Sequence, residues 1–122
     1  MLQIGSELQL ADNSGAKRLL ILSLPGESRK KYAFVGDIIS AVVKGASPTG
    51  NVQNGAIVRA VIVRTHKEQR RSDGSYIRFD DNAAVVVSKA NEPVGTRVLG
   101  PIAREVKDKG FRKVASLAKE VW

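Results

Sequence analysis

The chain has 122 residues, with 20 Lys and Arg against 12 Asp and Glu for a formal net charge of +8, and it contains no cysteine. That length suits one domain with a single modest core, and the missing cysteines exclude disulfides and thiolate metal sites, which fits a reducing compartment. MLQIGSELQL has neither the basic nor the apolar region of a signal peptide, and no apolar run nears the roughly 20 residues of a membrane helix, so the expectation is a soluble protein with no membrane partner.

Valine and isoleucine supply 23 of the residues, and β-branched side chains favour strands. Glu7-Leu8-Gln9-Leu10 alternates as a half-buried strand does. Asp12-Asn13-Ser14-Gly15 follows as an Asx-type turn, in which short polar side chains satisfy backbone groups. Arg18 to Leu24 (RLLILSL) and Ile38 to Val43 (IISAVV) are short apolar runs with the look of buried strands. Between them, Pro25-Gly26 opens a basic segment that runs to Lys31, and Tyr32 and Phe34 resume an extended course. Residues 47–55 (SPTGNVQNG) read as loop. Residues 56–65 (AIVRAVIVRT) and 83–88 (AAVVVS) are two more strands, expected to pair and to place some of Val61, Val63, Val85 and Val87 in the core. Asp73-Gly74 marks the tip of a hairpin that projects between them.

From Pro101 the period becomes helical. IAREVKDKG puts Ile102, Val106 and the stem of Lys109 on one face and stops at Gly110; FRKVASLAKEV then repeats Phe111, Val114, Leu117 and Ala118. About five short strands with turns between them predict a small closed barrel or a sandwich, followed by two short helices. The barrel part covers about residues 1–100 and the helical part about 101–122 of a single domain, 1–122. No internal repeat or linker interrupts it.

Catalytic chemistry has little support. His66 is the only histidine and stands in a basic stretch, where solvation or phosphate contact suits it better than catalysis. Asp80 and Asp81 are adjacent on an extended chain and point to opposite faces, so they make no two-carboxylate site by themselves; one of them is expected either to end the hairpin or to pair with a nearby arginine. No nucleotide-binding loop and no metal-ligand spacing is present, and no cofactor is expected. The cations, in contrast, cluster at turns: Lys17 and Arg18 beside the Asx turn, Arg29, Lys30 and Lys31 after Pro25-Gly26, and Arg64, Lys67, Arg70, Arg71 and Arg78 around the hairpin tip. Such clusters release counterions from phosphates and give strong, salt-dependent binding to nucleic acid. Aromatic residues make up only 5% of the chain, too few for a row of stacking rings, so the expected target is the backbone shape of folded RNA.

Ala60-Val61-Ile62-Val63, nine residues, Asp73-Gly74, four more, Phe79, two more, Asn82, two more and Val85-Val86 together resemble the signature of the universal uL14 family of large-subunit ribosomal proteins in its bacterial-type form. ADNSGAK at 11–17, Gly36-Asp37, GTRVLGPIARE at 95–105 and SLAKEV at 116–121 extend the resemblance over essentially the whole chain. It implies a mainly β fold: a five-stranded β-barrel with a protruding β-ribbon and a small helical C-terminal part. It also implies a structural role on the ribosome, cytoplasmic or organellar. That role includes binding 23S rRNA, an intersubunit bridge with 16S rRNA, and packing beside large-subunit proteins three and nineteen. The ribosome silencing factor is a further implied partner, docking where the family pattern matches Thr96, Arg97 and Ser116. Lys119 stands where the family usually has proline, and Trp122 is an unusual last residue. The alternative from the residues alone is a free-standing basic barrel that binds single-stranded nucleic acid off the ribosome.

Overall fold

The computed structural model describes residues 2–25, 32–46 and 52–122. Five strands, β1 (Glu7–Leu10), β2 (Arg18–Ser23), β3 (Ile38–Lys44), β4 (Ile57–Arg64) and β7 (Ala83–Val87), form a closed barrel in the order β1-β2-β3-β4-β7. Between β4 and β7, strands β5 (Gln69–Arg70) and β6 (Tyr76–Ile77) make a separate two-stranded ribbon. Helices α1 (Arg104–Asp108) and α2 (Arg112–Leu117) follow the barrel.

Four of the five barrel junctions are antiparallel; the one that closes it is a parallel pairing of β1 with β7, Gln9 opposite Ala83 and Leu10 opposite Ala84. Closure resolves the choice between barrel and sandwich and removes the open strand edges along which chains aggregate. β1, β2 and β3 alternate in burial, as strands do when one face meets the core and the other meets solvent. β7 and the second half of β4 are instead buried continuously. Later segments are bound to the backbones of both strands: Val63 accepts a hydrogen bond from the Ala103 N–H at 3.1 Å, and Val86 accepts one from the Val94 N–H at the same distance. Val61 lies opposite Val85, and Val61, Val63, Val85 and Val87 are all buried.

The helices are shorter than the periodicity suggested. Ile102 is extended: it bridges to Val121, its N–H donates to the Glu120 carbonyl at 3.1 Å, and its own carbonyl accepts from the Trp122 N–H at 2.8 Å. A residue pinned between two such bonds cannot belong to the helix that follows. α1 ends where expected, with the N–H groups of Gly110 and Phe111 donating to the Lys107 and Val106 carbonyls. Gly110 has φ +100° there, the left-handed turn that glycine adopts without strain. α2 stops at Leu117, and Ala118 is already extended (φ −81°, ψ 140°). Lys119 therefore lies beyond the helix, in a backbone course that a proline would also accept.

Candidate nucleic-acid interface

The ribbon is short and firmly rooted. Gln69 pairs with Ile77 and Arg70 with Tyr76. Its turn is closed by the Arg71 N–H to the Ser75 carbonyl at 2.8 Å, and Gly74 takes φ +90° at the reversal. Asp73 accepts from the Ser75 N–H at 2.9 Å and from its hydroxyl at 2.6 Å, and these bonds hold the Asp73 carboxyl below the usual carboxylate range. At the base, the Gln69 side chain accepts from the Val35 N–H and Asn82 accepts from the His66 N–H. The turn is thus presented from a fixed root.

The basic residues of this stretch divide into two groups. Lys67, Arg70 and Arg78 are exposed, Lys67 beside Glu68 at 3.0 Å. Glu68 is held below its ordinary pKa, chiefly by that hydrogen bond from Lys67. Arg64 and Arg71 turn inward instead. Arg64 grips Asp81 through Nε at 2.9 Å and Nη2 at 3.3 Å, and its Nη1 donates to the carbonyls of Leu99 and Pro101 at 2.8 and 3.0 Å. Of the alternatives left open for Asp80 and Asp81, pairing with an arginine is the one that Asp81 takes. Arg71 fastens the ribbon to the helical part. Its Nε lies 2.8 Å from a Glu105 oxygen, off the line of a hydrogen bond, and its Nη2 donates to the other Glu105 oxygen and to the Trp122 carbonyl. Neither guanidinium is presented to solvent as the sequence cluster implied.

Away from the ribbon, Lys17 and Arg18 are exposed, with Arg18 3.5 Å from Glu7 across β1 and β2. Arg29, Lys30 and Lys31 lie outside the described residues. The sequence pattern did not bring Arg104 to the ribbon, yet this exposed α1 residue lies close enough to lower the Asp73 pKa through its charge. Lys109 shares a groove of about 420 Å³ with Lys67, Arg70 and Phe34, while its ammonium sits 2.8 Å from Asp37.

A second surface forms over the Asx turn. Asn13 accepts from the N–H groups of Thr96 and Arg97 at 2.8 and 3.0 Å, and its amide donates to the Thr96 hydroxyl at 2.8 Å. One short side chain thus fixes the segment that carries Thr96 and Arg97 and leaves both residues exposed. Ser116 is exposed on α2, where its hydroxyl donates to the Lys113 carbonyl at 2.7 Å. The ion pair between Lys113 and Glu92, at 2.6 Å, ties α2 to the turn after β7.

Among the described residues no cluster of His, Asp and Glu has the makings of a metal site, and no helix is long and apolar enough to cross a membrane. His66 and Asp80 are exposed, and Asp81 is occupied by Arg64. Residues 1–122 match the family described as ribosomal protein L14p/L23e. A large ribosomal subunit protein uL14 from Aquifex aeolicus is 58% identical over 121 residues, 99% of either chain.

Proposed function

The chain belongs to the ribosomal protein L14p/L23e family, and we propose that it is built into the large ribosomal subunit by gripping 23S rRNA phosphates with the exposed cations of its ribbon. The carrying observation is the division of labour at the ribbon: Arg64 and Arg71 fasten it, leaving Lys67, Arg70 and Arg78 exposed. A rooted scaffold of charges loses little entropy on meeting RNA. Lys17 and Arg18 add a second basic set, and the same basic surface reaches 16S rRNA at the subunit interface. Large-subunit proteins three and nineteen are its neighbours there.

Phosphate recognition predicts a characteristic salt dependence. Replacing Arg70 and Arg78 together with Ala weakens binding alike across RNA sequences and flattens the plot of log affinity against log salt by about one unit for each phosphate no longer neutralised. Filter binding over a range of salt concentrations measures this, and affinity indifferent to salt would sink the reading. In lysate, the protein should sediment almost wholly with large subunits; a free pool that binds single strands would instead support a barrel acting off the ribosome.

We also assign Thr96, Arg97 and Ser116 to protein docking, with the ribosome silencing factor as partner. The family pattern supports the assignment, and so does the way Asn13 holds Arg97 outward, where a guanidinium can pair bidentately with an acidic group. Arg97→Glu should abolish capture of the silencing factor by purified large subunits, while incorporation into those subunits stays near normal. Impaired incorporation with capture intact would transfer Arg97 to the RNA-binding surface.

A further inference from the structure

Trp122 is 60% exposed, an unfavourable place for a large ring unless something covers it in the working assembly. It is nevertheless held in position. Its N–H donates to the Ile102 carbonyl at 2.8 Å, its carbonyl accepts from Arg71, and its indole Nε1 donates to Glu120 at 3.1 Å. Those bonds engage the backbone and the ring edge and use neither ring face. Tyr76, on the ribbon, is 65% exposed. Both rings line one open cavity of about 730 Å³, within the range of roughly 300–1,000 Å³ typical of small-ligand sites. Ile77 and Phe79 form an apolar wall, and Gln9, Arg78 and Asp80 are its polar groups not already committed to an ion pair.

We propose that this cavity receives one unpaired RNA base, stacked on Trp122 and Tyr76. The inference rests on the RNA reading above and adds to it the recognition of a base, where the ribbon cations engage only phosphates. The exposed Arg78, which lines the cavity, brings a phosphate backbone to it, which sets the choice of an RNA base over an apolar protein side chain. Gln9 and Asp80 offer acceptors to a base's amino edge. Stacking on an immobilised ring needs no further ordering of the protein, and it tolerates any base because each has a π-face.

Trp122 is the only tryptophan, so its emission reports the site directly. The full chain is titrated with oligoadenylate RNA and, separately, with an abasic ribose-phosphate strand of equal length. Oligoadenylate should quench the emission and the abasic strand should leave it nearly unchanged. With labelled strands, Trp122→Leu and Tyr76→Leu should each weaken oligoadenylate binding roughly ten- to a hundredfold. Salt slopes and abasic-strand affinity should not change, and Trp122→Phe should recover part of the loss. The leucine variants keep the backbone bonds of residue 122, and their melting temperatures verify the fold. Equal quenching by both strands, or leucine variants with unaltered affinity, overturns the proposal. So does quenching by a leucine-rich peptide but not by oligoadenylate, which would give the cavity to a protein neighbour. Failure of the phosphate reading looks different: both strands would then bind without salt dependence.

Discussion

Arg64→Met should destabilise the protein by about 3–5 kcal/mol, the usual consequence of removing one member of a buried ion pair. The side chain is only 10% exposed and makes four hydrogen bonds, two to Asp81 and two to the Leu99 and Pro101 carbonyls. Methionine fills much of the volume but leaves a part-buried carboxylate and two carbonyls without their donor. The 99–101 segment has closed tightly over the guanidinium: a Cβ on Gly100 would sit 2.5 Å from Nη1. Arg64→Lys offers a single ammonium in place of a planar fork and should recover only part of the loss. Urea melts of the three proteins measure this, and Arg64→Met within about 0.5 kcal/mol of the parent would refute the arrangement. The salt slope of RNA binding by the folded fraction should be unchanged, because Arg64 presents no charge to solvent. Arg70→Ala reverses the pattern, with a flatter slope and a nearly unaltered melt.

That contrast shows where sequence reasoning reached and where it stopped. The strands were legible because β-branched runs are bounded by turn residues, and all five barrel strands fall within a residue or two of the runs that predicted them. Closure was legible through the family resemblance, which implied a five-stranded barrel; the residues alone left barrel and sandwich open, since the parallel pairing of β1 with β7 joins residues more than seventy positions apart and no local pattern encodes it. The basic cluster was visible as composition but not as geometry. Arg64 ends a strand in which the four residues before it, Ala60 to Val63, form an apolar run and are all buried, and its partner Asp81 precedes the strand paired with it; those two facts together were the available sign that it turns inward. Arg71 gave no such sign, because its partners Glu105 and Trp122 come from the far end of the chain. Asn13 reads locally as a turn residue, and its grip on Thr96 and Arg97 depends on a tertiary approach across 83 and 84 positions.

Within the same turn, Asp12 carries the second large effect. It is 5% exposed, and both carboxylate oxygens accept hydrogen bonds: Oδ1 from the Ser14 hydroxyl at 2.7 Å and the Ser14 N–H at 3.3 Å, Oδ2 from the Val86 N–H at 3.0 Å. The last of these joins the Asx turn to β7. Asp12→Ala strands these donors in the interior and should cost on the order of 3 kcal/mol, whereas Asp12→Asn keeps one acceptor oxygen and should cost about 1 kcal/mol. Acidity separates this carboxylate from an ion-paired one. Burial raises the Asp12 pKa above 3.8, and the bonds from Ser14 and Val86 only partly offset it. A folded-state pKa above the unfolded value means that the folded chain binds the proton more tightly. Its contribution to stability is then complete below the unfolded pKa and is lost as pH rises through the folded one. The gap between the parent and Asp12→Ala should therefore stay level from about pH 7 down to the raised pKa and widen as pH falls through it toward the unfolded value. A carboxylate whose pKa is depressed by an arginine would show the opposite trend. Chemical denaturation of both proteins at several pH values tests the sign, and a gap that narrows on acidification would mean that hydrogen bonding to the carboxylate outweighs its burial.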